Sequence, residues 1–82
     1  MVKYLQDKYI LKYNTATSEV PYVEGYVSSW TIQPSLPAGL ELKNGIIEGI
    51  PTQLSESRNY TIIASNPNWD VEVVLEIGRA HV

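Results

Sequence analysis

The chain contains no cysteine and no phenylalanine, a single methionine and a single histidine, and charged residues fill only 18% of its 82 positions. Without cysteine there is no disulfide, no thiolate metal ligand and no thiol nucleophile, so the apolar core alone must hold a domain of a size that is often stapled. The six basic residues are scattered, no two of them adjacent, and the net charge is −3. That balance excludes the clustered Lys and Arg on which binding to phosphate backbones rests. No apolar run approaches the roughly 20 residues of a membrane-spanning helix. The opening "MVKYLQDKY" lacks the apolar centre of a secretion signal. No segment keeps a helical period free of Pro and Gly for long enough to make a helix.

What is present is apolar sequence with a period of two. Hydrophobic residues make up 44% of the chain, enough for one folded core and too little chain for two. In "VEVVLEI", Val71, Val73, Leu75 and Ile77 share one face while Glu72, Val74 and Glu76 share the other, the signature of a half-buried strand. "YTIIA" places Tyr60, Ile62 and Ala64 together in the same way. The intervening "SNPNWD" is made of turn formers and predicts an antiparallel hairpin with a loop of several residues.

The segment "SLPAGLELKNGIIEGIPT", Ser35 to Thr52, gathers three of the five glycines and two of the five prolines. Asn44-Gly45 between apolar arms predicts a type I′ hairpin, because that turn needs positive φ at both central positions. A two-residue turn there pairs Lys43 with Ile46, Leu42 with Ile47, Glu41 with Glu48 and Leu40 with Gly49. Leu40, Leu42 and Ile47 then share the buried face, and Gly49 leaves room opposite Leu40. "SLPAGL" fits a type I turn with Pro37 second and Gly39 fourth. Pro51, having no N–H to donate, is expected to stop the ladder. Every glycine and proline here has an architectural use, and no helix follows to complete a phosphate cradle.

Upstream, "KYILKY" reads as a first strand with Tyr9, Leu11 and Tyr13 on one face, and "NTATSE" as polar loop or edge. Short strands are expected at Tyr22 to Val23 and at Ser29 to Gln33, the latter with Trp30 and Ile32 inward. The fold class is therefore all-β, an antiparallel two-sheet sandwich of six to seven strands. Residues 1–8 read as a lead-in, 9–77 as the sandwich and 78–82 as a linker or a cut end.

"WTIQPSLPAGLELKNGIIEGIPT" followed by "YTIIASN" resembles the immunoglobulin-like repeat family close to dystroglycan-type cadherin-like domains. The matching positions are Pro34, Leu36, Pro37, Gly39 and Leu40, then Asn44, Gly45, Ile47, Gly49 and Pro51, then Tyr60 and the Ala64-Ser65-Asn66 end of its strand. The resemblance implies an Ig-like or cadherin-like sandwich occurring as tandem repeats in large surface, adhesion and secreted proteins. Its neighbours would be other domains of a parent chain, with a protein or glycan ligand as a further partner, and its setting extracellular or at the cell surface. It brings no catalytic residue. The family's last hairpin usually carries a Gly where this chain has "PNWD".

The site candidates divide by chemistry. His81 stands in the tail, and no Ser or Cys in a nucleophile context accompanies it, so no enzyme is expected. Cadherin-like modules hold calcium with acidic clusters, for which Glu24, Asp70 and Asp7 are the candidates; the dense acidic run such a site needs is missing, and no cofactor is expected. Trp30 reads as a core plug. Trp69 and Asp70 in the turn-rich loop, with Tyr22 and Tyr26 flanking Gly25, are the candidate contacts for a glycan or protein partner. Asn59-Tyr60-Thr61 fits the N-glycosylation pattern. The expected function is a non-enzymatic spacer or adhesion repeat. The alternatives are an accessory domain that binds carbohydrate or protein through its loop aromatics, and an intracellular or virion assembly module.

Overall fold

In the computed structural model, which describes residues 2–53 and 56–79, the chain is all-β. Among these residues nine strands follow one another: β1 (Val2–Lys3), β2 (Lys8–Leu11), β3 (Thr17–Glu19), β4 (Tyr22–Val23), β5 (Ser29–Gln33), β6 (Leu40–Lys43), β7 (Ile46–Gly49), β8 (Arg58–Asn66) and β9 (Trp69–Arg79). They form three open sheets, β1-β4, β2-β9-β8-β5 and β3-β7-β6. Nine strands replace the six or seven expected because β1 and β3, of two and three residues, are too short to show a period. One pairing is parallel: β2 lies along β9 with Lys8 beside Glu76 and Leu11 beside Arg79.

The long β8-β9 hairpin is the trunk of the fold. Tyr60, Ile62 and Ala64 of β8 and Leu75 and Ile77 of β9 are buried, while Val74 on the opposite face is half exposed, as the two-residue alternation predicts. The expected loop of several residues is shorter than that. Asn66 pairs with Trp69 and Ser65 with Asp70, leaving Pro67 and Asn68 as the turn. The Asn66 side chain is the reason: its Oδ1 accepts from the backbone N–H groups of both Asn68 and Trp69 at 2.8 Å, closing the chain locally.

The β6-β7 hairpin forms in the expected register, Lys43 with Ile46 through Leu40 with Gly49. Asn44 and Gly45 have φ of 52° and 83°, the double positive φ of a type I′ turn. The preceding turn differs from expectation. Leu40 N–H donates to the Pro37 carbonyl at 3.1 Å, so Pro37 is the first residue of the turn and Gly39 the third, with φ of 92°. Positive φ at the third position belongs to a type II turn, which glycine makes possible. The ladder ends at Gly49, ahead of Pro51 as expected, yet hydrogen bonding continues past the proline. Ile50 N–H donates to the Gly39 carbonyl at 3.1 Å and Thr52 N–H to that of Ala38 at 2.9 Å, while the Pro51 carbonyl accepts from Asn14. The chain steps over the missing donor by using the next one.

Two glycines make that approach possible. A Cβ on Gly39 would stand 2.0 Å from the Ile50 carbonyl oxygen, and one on Gly49 would stand 2.1 Å from the Gly39 oxygen. Neither backbone can withdraw without breaking the bonds that join them.

A single apolar cluster unites the sheets. Tyr9 and Leu11 from β2, Tyr60 and Ile62 from β8, and Leu75 and Ile77 from β9 meet Leu40 and Ile47 from the three-stranded sheet. Trp30, Ile32, Leu36 and Leu42 pack against it, each partly buried. Each fully buried aliphatic side chain contributes on the order of 1.5–3 kcal/mol. Residues of the expected lead-in, 1–8, also take part: Val2 pairs with Val23, and Tyr4 lies in the core cluster. At the other end β9 runs through Arg79, two residues into the expected tail, and Gly78 is buried against Ser57. Tyr13, placed inward by the alternation, falls beyond the end of β2 and is two-thirds exposed.

Candidate functional site

The residues singled out as contacts converge on one end of the molecule, although they are far apart in sequence. The β8-β9 turn and the segment after β4 are tied together there. Asn66 Nδ2 donates to the Tyr26 carbonyl at 2.8 Å, and the Ser28 N–H and hydroxyl both donate to the Ser65 carbonyl, at 2.8 and 2.9 Å. Gly25, with φ of 94°, brings the chain against the indole of Trp69. Trp69 and Asp70 are thus strand residues rather than loop residues, and Trp69 is half-buried over Gly25. The ring covers the end of the hairpin, and the contact candidates left facing solvent are Asp70, Tyr22 and Tyr26, the two tyrosines 52% and 69% exposed.

Tyr22 is held in a polar setting. Its hydroxyl donates to the Glu24 carboxylate at 2.8 Å, and Lys3 Nζ stands 5.8 Å from its ring centroid. The bond to Glu24 favours the protonated phenol and raises its pKa above the usual value. Beside it runs a groove of about 620 Å³ lined by Lys3, Leu5, Val20, Pro21, Tyr22 and Glu24. Leu5, almost fully exposed, forms its ridge. Leu5 and Val20 carry no signal in the sequence, because an isolated apolar residue in a polar stretch has no period.

Beneath the groove lies a more constrained feature. The Tyr4 hydroxyl donates to the Gly45 carbonyl, and a Cβ on Gly45 would meet the Trp30 ring at 2.7 Å. The type I′ turn is therefore held at its carbonyl by one aromatic and covered at its α-carbon by another. Burial, with Tyr9 nearby as a second contribution, pushes the Tyr4 phenol well above its ordinary pKa. Val2 and Tyr4 are buried with Lys3 exposed between them, a stretch too short to stand out as a period in the sequence.

The three acidic candidates for calcium are not assembled. Among the described residues no group of three or more His, Cys, Asp or Glu side chains is placed to hold a metal ion. Glu24 is engaged by Tyr22, and Asp7 contributes its backbone carbonyl to Glu76 N–H at 2.9 Å. His81 lies outside the described residues. Asn59 is exposed on β8 opposite Glu76, which leaves its side chain open to modification.

Compared with known proteins, the chain matches no family model, no curated protein and no solved structure.

Proposed function

We propose that this chain is a non-enzymatic immunoglobulin-like module, a spacer or adhesion repeat within a larger surface or secreted protein. On this reading the four- and three-stranded sheets are the two layers of a cadherin-like sandwich, and the β1-β4 pair closes one end. The shared cluster of Tyr9, Tyr60, Ile62, Leu75, Leu40 and Ile47 supports it, since both sheets contribute to one interior. The turn residues from Pro37 to Pro51 act as architecture, consistent with the family resemblance.

The path of the chain carries the proposal. Lys3 and Leu5 border a groove with Val73 and Leu75, Asp7 bonds to Glu76, and Leu11 lies beside Arg79. Val2 pairs with Val23, two residues before the glycine that meets Trp69, so the chain comes in on the side of the β8-β9 turn and runs along β9 to leave past Arg79, in a body measuring 44 × 20 × 17 Å. Opposite ends are what an in-line repeat needs, with each copy adding its long axis to the array.

Small-angle scattering from two copies joined end to end tests this. The maximum dimension should exceed that of one copy by nearly the 44 Å long axis. Two copies folded back side by side, with little gain in length, would remove the spacer reading.

A second reading, an accessory domain for glycans or protein, is favoured by the exposed ring of Tyr22, which lines the groove, and by that of Tyr26. A glycan panel followed by tyrosine and tryptophan fluorescence should change signal in wild type and not in Y22A. Silence across the panel eliminates the glycan form of that reading.

A further inference from the structure

The two larger sheets end in four edge strands, β2, β5, β3 and β6. Unpaired strand edges recruit other strands unless charge, bulges or covering elements prevent it. Three of the four carry such charges: Lys8 on β2, Glu19 on β3, and Glu41 and Lys43 on β6. β5 carries none. Its sequence, Ser-Trp-Thr-Ile-Gln, is the longest of the four edges, and the whole run from Gly25 to Leu40 between Glu24 and Glu41 is free of charge. Among the described residues its one hydrogen-bonded neighbour is β8, with β6 packed near it but not paired to it. Ser29, Thr31 and Gln33 face solvent, and Trp30 and Ile32 are left only half-buried.

We infer that β5 is a pairing edge for a second copy of this chain, joined antiparallel about a two-fold axis at Thr31. A two-fold contact must be complementary to itself, and β5 meets that condition residue by residue. Thr31 stands opposite Thr31 of the other copy, and Ser29 opposite Gln33, pairs that can hydrogen-bond across strands. Trp30 stands opposite Ile32, an aromatic and a β-branched residue, which is a favourable cross-strand pair. The union makes one continuous eight-stranded sheet and satisfies the outward N–H and C=O groups of β5. It also covers what Trp30 and Ile32 leave exposed. A foreign strand would find the same backbone groups, but only a second copy brings this matched set of side chains. The pairing stands whether or not the module is one unit of an array.

Sedimentation equilibrium from micromolar to millimolar concentration tests the inference. Wild type should show a reversible monomer–dimer equilibrium. T31K, which sets Lys against Lys at the axis, and T31E, which sets Glu against Glu, should each associate at least about tenfold more weakly. An equimolar mixture of the two should dimerise again, because Lys then faces Glu. S18K, a charge added to the edge of β3, should leave association at the wild-type level. The recovery in the mixture separates lost pairing from lost folding, since unfolded chains would not regain it. A wild type that stays monomeric throughout the range overturns the inference. So does a T31K and T31E mixture that fails to pair, or a T31K that dimerises as wild type does. Scattering from the end-to-end pair is measured in T31K, so that the two readings can fail separately.

Discussion

The hydroxyl of Tyr4 donates to the carbonyl of Gly45, a bond between residues 41 positions apart in the chain. It anchors the first strand region to the tightest turn of the three-stranded sheet, and the Trp30 ring lies over the same glycine.

Tyr4→Phe keeps the ring in the core and leaves a buried carbonyl without its partner. The expected loss is about 1–3 kcal/mol, read from urea unfolding, with an unchanged far-ultraviolet spectrum. A loss within error would mean that water replaces the phenol at Gly45.

The same phenol makes stability depend on alkaline pH. Its folded pKa is raised above the ordinary phenol value, so the native state holds the proton more tightly than the unfolded chain does. Its contribution is fully present below about pH 10 and declines as pH rises past that value, at no more than about 1.4 kcal/mol per pH unit. Unfolding free energies between neutral and strongly alkaline pH should fall more steeply for wild type than for Y4F. Parallel curves would assign the titration elsewhere.

Gly39→Ala and Gly49→Ala should be the most damaging single substitutions in the chain. Each added methyl would stand about 2 Å from a backbone oxygen, and each residue has a φ that a side chain resists. A loss beyond about 3 kcal/mol is expected, enough to unfold a domain with a small stability margin. Gly25→Ala is the comparison. It has positive φ but meets only the Trp69 ring, at 3.7 Å, so about 1–2 kcal/mol is expected. Amide dispersion in proton–nitrogen spectra would rank the three.

Gly45→Ala drives a methyl into Trp30. In a W69F background, where Trp30 is the one indole, its emission should shift to longer wavelength as the ring is displaced toward water. An unshifted spectrum with unchanged stability would show that the indole can swing aside without cost.

Much of this fold is legible in the sequence wherever the determinants are local. The Asn44-Gly45 turn sets its own register, and the alternation from Tyr60 to Ala64 and from Val71 to Ile77 assigns the buried faces. Strands at Tyr22–Val23 and Ser29–Gln33 also stand where their composition puts them. What is not legible depends on residues distant in the chain. Gly39 takes positive φ, making Pro37 the first turn residue, because the chain at Ile50 closes on it. The parallel partnership of β2 with β9 leaves no mark in either segment. At the candidate site, sequence supplied Tyr22, Tyr26, Trp69 and Asp70, which do gather at one end. It could not show that Trp69 would turn inward over Gly25, since that glycine lies more than forty residues away.

The parallel union of β2 and β9 bears on how such a unit responds to tension. Pulled by its two extremities, the domain would load the rungs between these strands in shear, so that they resist together; a hairpin opened from its mouth yields one rung at a time. A row of four residue pairs, Lys8 with Glu76 through Leu11 with Arg79, would act as a clasp across the direction of stretch.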